Sequence, residues 1–177
     1  MVEFVAVLMP LMLIVVAIIQ FGLLFGANVT ITNAAREGAR SGTIYVYDRT
    51  HNAYWNDAHR CGDIVTAATQ AFGLLTVGAP HFSAPLTSGA CPTPNSATLT
   101  NGDVTVSYCA SVASTTAPCP NGSVPATACT VDTREGCLVR VVLRYRSDII
   151  VPLIDALVPH DANGRFLHTV SATMVVN

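Results

Sequence analysis

The chain has 177 residues, of which 51% are hydrophobic and 11% charged, and its formal net charge is −2. This charge balance excludes the basic surface on which nucleic-acid-binding proteins depend, so we expect no nucleic-acid partner. Much of the hydrophobicity lies in residues 2–27, and no second apolar run approaches the ~18 residues that a transmembrane helix needs. The chain therefore crosses a membrane at most once.

The apolar run Val2–Ala27 contains one ionisable residue, Glu3. At ~1.5 Å per residue, a helix of this length can span the ~30 Å hydrocarbon core of a bilayer. A carboxylate in such a helix is costly to bury and normally indicates a site with a partner; the alternative is a carboxylate that reaches the lipid headgroups. No basic residue precedes Arg36, which excludes an ordinary secretory signal peptide. We therefore expect a mature chain whose basic leader has been removed.

The first helix is predicted to continue beyond the apolar run and to end near Gly42. Glu37 and Arg40 have the i,i+3 spacing of a helical ion pair. A helix of about 40 residues is ~60 Å long, so its second half should project out of the membrane. Pro10 lacks a backbone N–H and should kink or loosen the helix locally.

Small residues recur along this helix at intervals of four, and we name them the small-residue seam: Gly22, Gly26, Thr30, Ala34, Gly38 and Gly42. Its first two members form a GxxxG motif, which lets helix backbones approach closely. Each four-residue step advances ~40° around the helix, so the seam winds and suits contact with several neighbours. We expect a role in subunit assembly; the alternative is that glycine is simply frequent in membrane helices.

Residues 44–177 are predicted to form an α+β head on the helical stalk of residues 1–43. Ile64 to Leu75 follow an amphipathic helical pattern, with Asp57 or Asp63 as candidate N-caps. Alternating apolar and polar residues predict strands over 104–112, 138–146 and 166–176, which suit a small antiparallel sheet.

Two further segments of the head have a distinct character. Residues 149–158 are apolar and bounded by prolines, as in a short helix or a tight connection. The second predicted strand carries its arginines on one face, where pairing with carboxylates is more common than anion binding: Arg140, Arg144 and Arg146.

The six cysteines all lie in the head, most of them around a Pro/Ser/Thr-rich region, residues 79–128: Cys61, Cys91, Cys109, Cys119, Cys129 and Cys137. Their even number and loop-rich surroundings predict disulfide-stapled loops rather than metal-bound thiols, because tight Cys-x-x-Cys pairs do not occur. Six cysteines allow 15 pairings. Short loops favour Cys109–Cys119 and Cys129–Cys137, which would leave Cys61–Cys91.

The start Val2-Glu3-Phe4, followed by apolar residues, Pro10 and the stretch Asn33-Ala-Ala-Arg-Glu-Gly-Ala-Arg40, closely resembles the TadE-like family of pilin-like proteins. These belong to the tight-adherence (Tad) branch of type IV pili. The resemblance implies a type IV pilin-like fold, a precursor cut by a prepilin peptidase, and a Glu3 carboxylate paired with the N-terminal ammonium of a neighbouring subunit. The pilin glutamate is usually fifth, whereas here it is third: either two residues precede Met1 or processing differs.

Enzyme motifs are missing from the chain. The histidines are scattered, and no HExxH, nucleophile elbow or phosphate-binding glycine loop occurs. We therefore predict a non-enzymatic protein without a cofactor or a metal. Asn121-Gly-Ser123 fits the glycosylation sequon and lies in a probable loop, although such sequons also arise by chance.

The leading functional hypothesis is a structural subunit of an extracellular filament, a homo-polymer held by packed N-terminal helices through Glu3, Pro10 and the small-residue seam. Before assembly it would lie in the cytoplasmic membrane and meet the pilus assembly machinery. A minor pilin or pseudopilin that primes or tips an assembly is the alternative. A membrane-tethered secreted enzyme or binding domain is a third hypothesis, from a different class.

Overall fold

The computed structural model describes residues 2–44, 48–51, 53–73, 75, 81–82, 98–109, 137–150 and 158–176. Within these described residues, two helices are followed by four strands. They are α1 (Val2–Thr43), α2 (Ala53–Ala71), β1 (Thr98–Asn101), β2 (Val104–Cys109), β3 (Leu138–Asp148) and β4 (Arg165–Val175). The predicted α+β class, with a long N-terminal helix and a small antiparallel sheet, is confirmed.

Helix α1 is a single helix of 42 residues that continues through Pro10. In its polar middle, the hydroxyls of Thr30 and Thr32 are satisfied within the helix, since they donate to backbone carbonyls one turn earlier, at 3.0 and 2.7 Å. The predicted ion pair between Glu37 and Arg40 forms at 3.9 Å on the exposed surface. The predicted end near Gly42 is also confirmed, since the helix ends one residue later.

The four strands form one antiparallel sheet in the order β1-β2-β3-β4. The long pair β3–β4 runs from Leu138 opposite Val175 to Asp148 opposite Arg165. The three predicted strands are confirmed to within about two residues at most of their ends; residues 110–112, predicted to end one of them, lie outside the described part of the chain. Strand β1, which pairs with β2 at the edge, was not predicted.

One face of the sheet packs against the helices and forms the core. The apolar residues predicted for one face of β3 are all buried there: Val139, Val141, Leu143 and Tyr145. From the helices, Ile31 of α1 and Ile64 of α2 enter the same core and are fully buried. The alternation of apolar and polar residues in β3 thus orients the sheet, because a strand presents alternate side chains to opposite faces.

The sheet runs along the second half of α1, with β3 antiparallel to the helix. A Cβ atom at Gly42 would lie 3.3 Å from Val139 at the start of β3, and Gln20 bonds the backbone of Asp148 at its end. The 22 helical residues between Gly42 and Gln20 rise about 33 Å, and the nine strand residues between Val139 and Asp148 rise about 31 Å. The second half of α1 is therefore part of the head's core.

The predicted N-caps of the second helix are wrong. Helix α2 begins at Ala53, so Asp57 and Asp63 both lie inside it. Its beginning is held by Asn56, whose side-chain amide accepts from the Asp48 backbone N–H at 2.7 Å and donates to the Asp48 carbonyl at 3.0 Å. Trp55 stacks between two histidines, with ring centroids 3.7 Å from each. These side-chain contacts stabilise a first turn that the apolar pattern does not reveal.

Two cysteines have described side chains, Cys61 on α2 and Cys137 before β3. Both are fully buried, and each is disulfide-bonded. Cys109 ends β2, whereas Cys91, Cys119 and Cys129 lie outside the described residues. The pairing of the six cysteines, and with it the stapling of the loops, stays a prediction.

Candidate assembly surface on the N-terminal helix

The second half of α1 has a face toward the head, which we name the head face. Its members recur every three or four residues and are all buried: Gln20, Leu24, Ala27, Ile31, Ala34, Ala35, Gly38, Ala39 and Gly42. This spacing follows the 3.6-residue period of a helix, so the stripe stays on one side of α1. The small residues at the C-terminal end of this face allow α2 and β3 to lie close to the axis of α1.

The small-residue seam changes its environment along α1. A Cβ atom at Gly38 would lie 3.2 Å from the Ala68 Cβ and 3.3 Å from the Ile64 carbonyl oxygen, and one at Gly42 would lie 2.8 Å from Ile64 Cδ1. At Gly22 and Gly26, no atom of the described residues lies within 4 Å of such an atom. We name Ala34, Gly38 and Gly42 the upper seam and Gly22 and Gly26 the lower seam. The upper seam packs inside the same chain, whereas the lower seam faces open space.

The lower seam shares its side of the helix with large apolar residues. Taking Gln20 as the zero direction, 100° per residue places Phe25, Val29, Gly22 and Gly26 at roughly 140°, 180°, 200° and 240°. These four residues lie opposite the head, and we name them the outer face. Phe25 is 71% exposed and Val29 43% exposed. An exposed apolar strip beside two glycines is suited to contact with another helix.

Most of the described side chains in the first part of α1 are exposed. Phe4 and Met9 are about as exposed as Phe25, at 70% and 71%. Pro10 is also exposed. Glu3 lies in the first turn of the helix, and its side chain is outside what the structure describes. Of the predicted assembly residues, Pro10, Gly22 and Gly26 are thus accessible to a neighbour, whereas Ala34 and Gly38 are buried in their own chain.

Gln20 is a functional residue that the sequence reasoning missed. Its side chain is 2% exposed; Nε2 donates to the Asp148 carbonyl oxygen at 3.2 Å, and Oε1 accepts from the Ile150 backbone N–H at 3.0 Å. Gln20 thereby holds the end of β3 at a fixed level on α1. The signal was available, because Gln20 is the only polar side chain between Phe4 and Ala27.

Ion pairs hold the same end of the head. Arg146 contacts Asp103 at 2.8 Å and Asp161 at 3.8 Å, and Arg165 contacts Asp148 at 3.0 Å. The Arg165 backbone N–H donates to Asp161 Oδ1, and this hydrogen bond is the largest of the effects that lower the pKa of the Asp161 carboxyl. Arg146 is thus paired with carboxylates, as is common for arginines on a strand face, and the cluster fixes the turn between β3 and β4.

Two described histidines of the head, His81 and His168, contact aromatic side chains. His168 is buried against Phe166, with ring centroids 4.6 Å apart, and burial lowers its pKa. His81 stacks on Tyr145, and its Nδ1 lies 2.8 Å from the Arg146 carbonyl oxygen. Within the described residues, no group of three or more His, Cys, Asp and Glu side chains could hold a metal ion. Asn121 lies outside the described residues.

Residues 1–40 match the family model described as TadE-like protein. No curated protein and no solved structure matches the chain. The resemblance inferred from Glu3, Pro10 and the stretch before Arg40 is confirmed over this segment. Among the described residues, α1 is the one helix long and apolar enough to cross a membrane. The matched family is one of pilus-associated, pilin-like structural proteins, and the apolar helix α1 fits membrane anchoring.

Proposed function

We propose that this TadE-like chain is a structural subunit of an extracellular, type IV pilus-like filament of the Tad type. The filament is a homo-polymer held together by packed α1 helices. Before assembly, the subunit is anchored in the cytoplasmic membrane by α1, after a prepilin peptidase has cut its precursor. The pilus assembly machinery then transfers it from the membrane to the growing filament.

The observation that carries this proposal is the apolar outer face of α1, on the side of the helix opposite the head. Residues 2–19 already rise about 27 Å as a helix, close to the ~30 Å hydrocarbon core. Phe25 and Val29 lie beyond that length and on the side opposite the head, so a lone subunit would present them to headgroups and water. Burying a large apolar side chain contributes about 1.5–3 kcal/mol, and a neighbouring helix provides that burial. Gly22 and Gly26 allow its backbone to come close.

We assign different parts to the predicted assembly residues. Glu3 pairs its carboxylate with the N-terminal ammonium of a neighbour, which removes two charges that an apolar helix bundle would penalise. Pro10, Gly22 and Gly26 contact neighbouring helices. Ala34 and Gly38 act from inside the subunit, where their small side chains seat α2 against α1 and so set the position of the head.

The Pro/Ser/Thr-rich region, residues 79–128, is held by disulfides in this proposal. The buried, disulfide-bonded Cys61 and Cys137 support it, because they lie on α2 and next to β3, where a disulfide to a cysteine of the region would join that cysteine to the core. Asn121 in this region is the candidate acceptor for a glycan.

The same anchor would suit a minor pilin or pseudopilin, and the distribution of the chain along a filament separates the two. An epitope appended after Asn177, which follows the end of β4 that lies far from Gln20, is tested by immunogold labelling of sheared filaments. Labelling along the whole filament is the result that we expect. Labelling at one end only would indicate the minor role, and an absence of label from filaments, with the protein left in the membrane, would refute the proposal.

A further inference from the structure

Gln20 fixes the position of the head along α1. In the membrane-anchored subunit, this position determines how close the head lies to the bilayer. Gln20 is buried, and both ends of its amide bond the backbone at the end of β3. Its polar atoms are therefore satisfied by the head. A helix can bury such a residue at the edge of the hydrocarbon without the cost of an unsatisfied amide.

The α1 segment that precedes Gln20 has the length of one hydrocarbon core. Residues 2–19 rise about 27 Å, against ~30 Å for the core of a bilayer. Their described side chains are almost all apolar and exposed, for example Phe4 and Ile14 at 70% and 58%. If this segment spans the bilayer, the outer edge of the hydrocarbon lies at the level of Gln20, and so does the end of β3.

The end of the head at this level carries an exposed apolar side chain. Ile150 donates its backbone N–H to Gln20, yet its side chain is 69% exposed. The described ion pairs at this end of the sheet join Arg165 to Asp148, and Arg146 to Asp103 and Asp161. With these charges paired, Ile150 can approach lipid without placing any one of them alone against the hydrocarbon.

We propose that this end of the head is a second lipid contact, in which Ile150 enters the bilayer at the boundary between headgroups and hydrocarbon. The inference rests on the membrane-anchored state of the proposed function and adds a surface to it. The contact makes the head sit on the membrane in one orientation. Assembly then has to replace lipid by protein around Ile150 as well as around α1.

The test uses tryptophan fluorescence in vesicles that contain phosphatidylcholine brominated close to the headgroup, since bromine quenches a nearby indole. Trp55 is the chain's one tryptophan, so Trp55→Phe gives a silent background for the full chain. Into it we introduce Ile150→Trp, with two matched controls at exposed apolar positions. Ile14→Trp reports insertion of α1. Val175→Trp lies at the opposite end of the sheet, about 34 Å along β3 from the Asp148 end.

We expect Ile14→Trp and Ile150→Trp to lose most of their fluorescence in brominated vesicles and Val175→Trp to lose almost none. Quenching at Ile14→Trp without quenching at Ile150→Trp would overturn the second contact and leave the anchor in place. A blue-shifted but unquenched Ile150→Trp would also overturn it and would indicate a neighbouring copy as the cover. No quenching at Ile14→Trp would refute the membrane anchor itself. Equal quenching at all three positions would refute the placement of the head, in which the Asp148 end of the sheet lies at the bilayer and the Val175 end lies away from it.

Discussion

The two halves of the small-residue seam should respond oppositely to the same substitution. Gly26→Leu and Gly38→Leu both replace glycine in the interior of α1, and both gain about 0.8 kcal/mol in helix propensity. At Gly26 the added side chain enters open space. At Gly38 its first carbon already meets the Ala68 Cβ at 3.2 Å and the Ile64 carbonyl oxygen at 3.3 Å, and that oxygen belongs to the backbone of α2.

The magnitudes follow from these contacts. Overpacking a core typically costs about 1–3 kcal/mol, and we expect a cost near ~3 kcal/mol at Gly38 because the leucine meets the rigid backbone of α2. After the gain in helix propensity, Gly38→Leu should lower the free energy of unfolding by about 2 kcal/mol. For a chain of this length, that is a fall in Tm of about 4–8 °C, whereas Gly26→Leu should raise Tm by about 2–3 °C. Thermal unfolding in detergent, followed by Trp55 fluorescence, measures both values, because Trp55 lies on α2.

Filament yield supplies the second measurement for this pair. Gly26→Leu should fold normally and fail to assemble, because bulk on the outer face keeps neighbouring helices apart. The reasoning would be refuted if Gly26→Leu lowered Tm as much as Gly38→Leu does, or if it gave the wild-type yield of filaments. The first result would mean that Gly26 is packed in its own subunit, and the second that the outer face is not an assembly surface.

Three further predictions concern the head. Gln20→Leu should lower the stability by about 1–3 kcal/mol, because it leaves the Asp148 carbonyl without its donor; an unchanged Tm in detergent would contradict this. Burial lowers the pKa of His168 from 6.5, so the unfolded chain binds more protons and stability should fall as the pH drops through about 6.5; His168→Gln should lose part of this dependence, and a Tm profile between pH 7.5 and 5.5 that matches wild type would exclude His168 as its source. At least two of the three possible disulfides should form, each contributing about 2–4 kcal/mol, and six reactive thiols in unfolded, unreduced protein would reject that prediction.

Strong periodic patterns made much of the fold predictable from sequence. The alternation in β3 predicted its buried face, and Gly42 predicted the end of α1 to within a residue. The winding of the small-residue seam was predicted as well. At ~40° per step, a seam that starts on the outer face at Gly22 arrives on the head face at Gly38. The sequence could not show that the neighbour met by the upper seam is the same chain, because that depends on where α2 and β3 pack.

The features that escaped prediction depend on contacts between residues far apart in sequence or on polar side chains. Strand β1 is four residues long and lies at the edge of the sheet, so its backbone pairing with β2 defines it more than any apolar pattern does. Helix α2 begins with a turn held by Asn56 and by stacking around Trp55, in a stretch whose composition resembles a loop. Gln20 contacts residues 128 and 130 positions away, and a single polar residue in an apolar run does not reveal its partner.

The filament account is tested most directly by the incorporation of Glu3→Ala into filaments, beside Glu3→Asp and wild type. Membrane insertion depends on the apolar run Val2–Ala27, and the head folds on the second half of α1, so the variant should remain inserted and its head should keep the wild-type Tm. A neighbour's unpaired ammonium inside the helix bundle costs several kcal/mol at every subunit added, so filaments should nearly disappear. Glu3→Asp should be intermediate, since the charge remains and its reach is shorter. Wild-type filament yield from Glu3→Ala would contradict the account and leave Glu3 as an ordinary residue at the membrane surface.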